Sequence, residues 1–112
     1  MLLRSIIDKV LNYSHEQYIK EKILIPLELN NTFFSLNEVN IDDVMSGYYV
    51  GTEQDFKTNE NGMLATAEDV GKFLRALNDS SVFKEGEKEI YSSIYEYKHG
   101  GLVPGYQSLA EY

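Results

Sequence analysis

The segment His99-Gly100-Gly101-Leu102-Val103-Pro104-Gly105-Tyr106-Gln107-Ser108 constrains the fold more than any other stretch of the chain. Adjacent glycines let a backbone run close against another body, because no Cβ stands in the way. Pro104-Gly105 then marks a turn or the start of a second strand. Ahead of it, Tyr91, Tyr95, Tyr97 and His99 share one parity while Ile90 and Ile94 occupy the other. The alternation predicts strands over about 90–99 and about 106–112, forming an antiparallel pair.

Upstream the period changes to that of helices. Leu2, Leu3, Ile6, Ile7, Val10 and Leu11 fall on one broad face of a helix over about 2–12. Asn12-Tyr13 separates it from a second helix over about 15–24, for which Ser14 and Gln17 fit a capping box and Tyr18, Ile19 and Ile23 supply an inward face. Pro26 limits that helix, and Leu27, Leu29, Phe33 and Phe34 anchor the turn region after it. Asn61-Gly62 is a turn. Thr66 caps a third helix over about 67–78, with Asp69 at its third position and Glu68 and Asp69 near the positive end of its dipole. Val70, Phe73, Leu74 and Leu77 are its expected buried stripe, and Asn78-Asp79-Ser80 breaks the pattern.

These elements predict an α+β fold, one domain over residues 1–112, with helices packed against a short antiparallel strand pair. Between Ser35 and Asn61 the pattern is polar and irregular, interrupted by Tyr48-Tyr49-Val50, which reads as a short strand. So long a connection is unusual in a self-sufficient domain of this size and fits better draped over a larger body. A first helix that is strongly apolar from its start and uncapped is likewise what a cut through a larger domain would leave.

Eighteen acidic residues against ten basic ones give a net charge of -8. No Lys/Arg cluster is present to displace counterions from phosphates, which argues against nucleic acid, and none offers a handle on an anionic membrane. No apolar run approaches the roughly 18 to 20 residues that span a bilayer. The absence of cysteine excludes disulfides, a thiol nucleophile and thiolate metal sites. The two histidines, His15 and His99, lie in unrelated settings without a surrounding ligand set, so no metal or other cofactor is expected.

Acyl-transfer chemistry needs a nucleophile, an adjacent base and backbone donors aimed at the developing oxyanion. Ser81-Val82-Phe83-Lys84 matches a Ser-x-x-Lys pattern, but that motif works at a helix start, and here it follows a helix end in an acidic link. Coincidence is the expected reading. Tyr13-Ser14-His15 resembles a Tyr-x-Asn segment only superficially and reads as a turn capped by Ser14. Asn30-Asn31-Thr32 fits the glycosylation pattern, which is too common to carry weight. Gly100-Gly101 lacks the context of a nucleotide-binding loop.

In combination, several stretches resemble the serine beta-lactamase-like superfamily of class C beta-lactamases, penicillin-binding DD-peptidases and related esterases. They are Ser5 to Val10, Ser14 to Tyr18, Ile25-Pro26-Leu27, Asn31 to Phe34, Ser46-Gly47-Tyr48, and Asn61 to Asp69 with Phe73 and Leu74. His99-Gly100-Gly101 falls where members carry Lys-Thr-Gly, His-Thr-Gly or His-Gly-Gly, and Pro104-Gly105-Tyr106 continues the match.

The resemblance implies a partial transpeptidase-type fold and an acyl hydrolase of beta-lactams, D-Ala-D-Ala peptides or esters. It implies that His99 flanks the substrate, that Gly100 and Gly101 permit its close passage, and that the Leu102 N–H is an oxyanion donor. The family's Ser-x-x-Lys and Tyr-x-Asn blocks would stand upstream of Met1. The chain is therefore expected to be an internal-to-late segment, inactive alone, whose partner is the remainder of the hydrolase domain or a second copy. The alternative is a non-catalytic oligomerising or partner-binding protein derived from the same fold. Members commonly work outside the cytoplasm, but the residues here fix no compartment.

Overall fold

The computed structural model describes residues 2–58, 62–93 and 98–112. It is an α+β arrangement in which helices accompany two separate two-stranded antiparallel sheets.

Helix α1 (Leu2–Leu11) ends where Asn12 takes a left-handed φ of 62°, a conformation asparagine tolerates better than most residues. Ser14 then caps α2 (His15–Ile19) by accepting the Glu16 N–H at 3.2 Å. Gln17 does not complete a capping box. Its amide donates to Glu21 Oε1 at 3.0 Å, one turn along the helix. The helix continues over Lys20–Leu24 as a wider turn, in which the Ile25 N–H reaches back five residues to the Lys20 carbonyl at 3.0 Å. Pro26 accounts for the ending: it offers no N–H, and its ring would collide with the carbonyl four residues earlier. A carboxylate ties α1 to α2. Both the His15 N–H and His15 Nδ1 lie against Asp8 Oδ1, at 2.6 and 2.7 Å.

Strands β1 (Thr32–Phe33) and β2 (Leu64–Ala65) pair antiparallel, with Thr32 opposite Ala65 and Phe33 opposite Leu64. This small sheet leads into α3 (Ala67–Asn78), capped by the Thr66 hydroxyl, which accepts the Asp69 N–H at 3.2 Å. Asp69 does more than sit near the helix dipole. Its side chain is only 2% exposed, and its Oδ2 accepts the Asn31 N–H and the Thr32 hydroxyl, each at 2.8 Å. Val70, expected in the buried stripe, is exposed, while Phe73, Leu74 and Leu77 are half-buried. Asp69 and Ala76 are the buried residues of α3, so its inward face is turned by the anchored carboxylate.

Two further expectations are corrected. Tyr48-Tyr49-Val50 is loop, not strand. The loop folds back on itself through the Phe56 N–H to the Gly47 carbonyl at 2.8 Å, and the Tyr49 ring packs edge-on against Phe56 at 5.1 Å. Aromatic content there serves ring packing rather than a ladder. The strand expected from Ile90 begins instead with α4 (Glu87–Ser92). Glu87 Oε2 accepts the Lys84 N–H at 2.8 Å, bracing the first turn, and Tyr91 stacks on Phe83 at 4.8 Å. A turn closed between Lys84 and Glu87, and a ring contact, thus override the alternation of apolar residues. The middle of the expected strand, residues 94–97, lies outside the described residues. Strands β3 (Lys98–Val103) and β4 (Tyr106–Glu111) form the second sheet.

The buried apolar side chains among the described residues are Leu24, Leu29 and Ala76. The chain exposes 8733 Å², whereas a folded monomer of 12.8 kDa typically exposes about 6,300 Å². Its radius of gyration is 15.8 Å, against about 13 Å for a self-contained domain of this length. Apolar side chains contribute to the excess: on α1, Leu2 and Val10 are 77% and 79% exposed, so the face expected to turn inward is largely uncovered among the described residues.

Two predictions follow from the buried and bridging carboxylates. Asp69→Ala strands the Asn31 N–H and the Thr32 hydroxyl and is expected to cost about 2–4 kcal/mol in urea unfolding, against about 1 kcal/mol for Thr32→Val. The two bonds from His15, backbone first and side chain second, hold the Asp8 carboxyl below its ordinary value of 3.8. A lowered carboxyl stabilises the fold above its unfolded value, and that contribution is lost as pH falls from about 3.8 through the lower folded value. Carboxyl-resolved NMR titration should place Asp8 below 3.8, and His15→Ala should move it upward.

Candidate functional site

The β3–β4 hairpin carries His99, Gly100, Gly101 and Leu102, the residues to which the resemblance gives roles. Its register pairs Lys98 with Glu111, His99 with Ala110, Gly100 with Leu109, Gly101 with Ser108, Leu102 with Gln107 and Val103 with Tyr106. A two-residue turn requires the closing pair, Val103 and Tyr106, to exchange hydrogen bonds. Bonded pairs then alternate, so Gly101–Ser108 and His99–Ala110 are bonded, and the intervening pairs are not. Lys98, Gly100 and Leu102 consequently turn their N–H and C=O groups away from β4, to the outer edge of β3. No described strand pairs with that edge.

The side chains divide by parity. His99, Gly101 and Val103 share one face with Ala110, Ser108 and Tyr106, and Lys98, Gly100 and Leu102 lie on the other. His99 is exposed, and the Leu102 side chain is 79% exposed. The two glycines differ. A Cβ on Gly101 would stand 2.5 Å from the Ser108 Oγ, so the serine hydroxyl fills the space the glycine leaves. A Cβ on Gly100 would meet nothing nearer than the Ser108 carbonyl oxygen at 3.9 Å. Open space for a close neighbour therefore lies at Gly100, not at Gly101.

The turn is held from outside the hairpin. Gly105 adopts φ 79°, which only glycine enters freely, and a Cβ there would also lie 2.8 Å from the Gly47 carbonyl carbon. The Tyr106 hydroxyl donates to the Met45 carbonyl at 2.6 Å, and its ring lies where a Cβ on Gly47 would stand. Burial raises the Tyr106 phenol above its ordinary range, with the nearby Asp55 and Tyr48 adding to the shift. Asp55 fixes the loop beneath: its Oδ1 accepts the Gly47 and Lys57 N–H groups at 3.1 and 3.0 Å. The Ser46 hydroxyl, followed by these backbone donors, holds the Asp55 carboxyl below its usual range. Two segments singled out separately in the sequence, Ser46-Gly47-Tyr48 and Pro104-Gly105-Tyr106, are thus packed on one another. Sequence reasoning did not join them. Gly47 and the Pro-Gly-aromatic run were the available signals, but nothing in a linear pattern pairs them.

Other candidates lie elsewhere. Ser81 and Lys84 stand on a non-helical link after α3, the Ser81 N–H donating to Asp79 Oδ1 at 2.9 Å, so no helical turn brings lysine to serine. A cleft of about 240 Å³ opens between α2 and α3, floored by Ile23, Phe73, Leu77 and Phe83, and none of its lining residues belongs to β3 or β4. Among the described residues no helix is long and apolar enough to cross a membrane.

Helices accompanying a short antiparallel strand pair are consistent with a partial beta-lactamase-like domain. The chain belongs to the beta-lactamase family: the model described as Beta-lactamase matches residues 1–94. With it comes membership of the beta-lactamase-like serine hydrolase superfamily, which includes the penicillin-binding-protein relatives. The match stops short of β3 and does not cover the hairpin residues. Comparisons with curated proteins and with solved structures found no match.

Gly105→Ala is expected to lower stability by about 1–2 kcal/mol through left-handed strain alone, and by more because the methyl meets Gly47 backbone. Gly100→Ala should change the urea midpoint little. Equal effects at the two positions would contradict the geometry of this turn.

Proposed function

We propose that this chain supplies one wall of the active site of a beta-lactamase-like serine acyl hydrolase, and that it does not turn over substrate by itself. The observation that carries the reading is the outer edge of β3, where the register directs the Leu102 N–H and the Gly100 backbone away from β4 and beside the exposed His99. An extended acyl substrate laid along this edge would pair with the strand, pass closely at Gly100, and place its carbonyl oxygen at the Leu102 N–H. That donor would stabilise the oxyanion of a tetrahedral intermediate, a contribution worth about 3–4 kcal/mol where a nucleophile is present. His99 would flank the substrate and act on its carboxylate or on proton transfer, and Gly101 would keep the strand close-packed through Ser108. Substrates of the complete enzyme would be beta-lactams, D-Ala-D-Ala peptides or esters.

The nucleophile must come from outside the described site. The surface excess supports a large covering partner, since it is of the size buried in intimate interfaces. We assign that partner to the remainder of the hydrolase domain. A second copy of the chain is the other reading, favoured by the same apolar face of α1, and it corresponds to a non-catalytic assembly protein.

A fluorescent penicillin and a fluorophosphonate ester, applied to the 112-residue chain and to extracts of its source cells, separate these readings. The expected result is no label on the isolated chain and a labelled larger species that carries this sequence. A native product no larger than this chain, oligomeric and unlabelled, would replace the hydrolase reading with the assembly one. A stoichiometric adduct on Ser81 that is lost in Ser81→Ala would overturn the assignment of an external nucleophile.

A further inference from the structure

We propose that Tyr106 is the positioning residue of the β3 edge: its hydroxyl and ring clamp the hairpin turn onto residues 45–57 and so fix the direction of the Leu102 N–H. The importance of that direction rests on the hydrolase reading above, while the clamp itself does not.

A two-stranded hairpin has little stability of its own, and β3 is exposed at every position except Gly101. Something outside the ladder must set its orientation. Packing of α3 against β4 is one support. The turn provides the other, through contacts that converge on Gly47. The Tyr106 hydroxyl bonds the Met45 carbonyl two residues before it, and the Tyr106 ring covers its α-carbon. The Gly105 backbone approaches its carbonyl, and that same carbonyl accepts the Phe56 N–H. Asp55 Oδ1 accepts the Gly47 N–H and closes the loop from below. Gly47 is itself buried, with the Tyr106 ring occupying the space beside its α-carbon.

The path from clamp to edge is short. Tyr106 exchanges ladder hydrogen bonds with Val103, the residue next to Leu102. Tilting of the tyrosine would rotate the Val103 backbone, and the outward N–H of the preceding Leu102 with it. A tyrosine serving only as an apolar filler would need neither the 2.6 Å hydroxyl bond nor a glycine beneath its ring.

Amide hydrogen exchange by NMR on the full chain tests the proposal without substrate. In Tyr106→Phe the ring stays and the hydroxyl bond is lost. Exchange at the His99, Gly101 and Val103 amides is expected to quicken about tenfold, with Phe73 and Leu74 in α3 within about twofold of wild type. The Gly100 and Leu102 amide resonances should shift in the same variant. A second measurement removes dependence on one substitution. Gly47→Ala should reproduce the effect in the wild-type background and add nothing in a Tyr106→Ala background, because the ring it displaces is gone.

Unchanged β3 exchange in Tyr106→Phe, or quickening spread equally over α3, would overturn the positioning role. So would additive effects of Gly47→Ala and Tyr106→Ala. Confirmation of the clamp together with an unlabelled native product would retain the clamp and remove the hydrolase reading, which keeps the two failures apart.

Discussion

The Asp69 carboxylate is the interaction on which the helical part of this molecule depends. Buried beneath α3, it gathers the Asn31 N–H and the Thr32 hydroxyl from a segment nearly forty positions earlier, while its own N–H is held by the Thr66 cap. One side chain therefore fixes the start of α3, the approach of β1 and the two-residue ladder between β1 and β2. The apolar core around it is small, and a buried carboxylate without its donors would be severely penalised. Specific polar geometry supplies here much of the order that close packing supplies in larger domains.

The hairpin obeys a different logic. It has almost no core, and its conformation comes from its turn, its register and its seat on the 45–57 loop. On the proposed function, separation of these jobs would leave the outer edge of the strand open, its N–H and C=O groups available to an extended ligand. The glycines divide the work in the same way, since Gly101 accommodates Ser108 from within the hairpin and Gly100 leaves the other face open.

Much of this was legible in the sequence where a signal is local. Ser14 and Thr66 announce their helices because a cap is a contact between near neighbours, and Pro104-Gly105 announces its turn because φ preferences are intrinsic to those residues. The strand content at Ile90 misled for the converse reason: parity says nothing of Phe83, whose ring draws Tyr91 into a helix, or of Glu87, which braces the first turn. Asp69 looked like a dipole partner because its true donors lie on a distant segment. In the hairpin, the Pro104-Gly105 turn could be read from sequence, whereas the packing that supports it could not. The fit of Tyr106 on Gly47 joins positions 59 apart by shape alone.

The uncovered face of α1 also has a consequence for the behaviour of the chain in solution. Apolar stripes of this kind draw copies together, while a net charge of -8 holds them apart over a Debye length of about 8 Å at physiological ionic strength. Added salt shortens that reach and strengthens apolar association. Colloidal state is therefore set by a balance between one helix face and the charge of the whole molecule, and dilute, low-salt conditions are those in which a single chain is most readily kept apart from its neighbours.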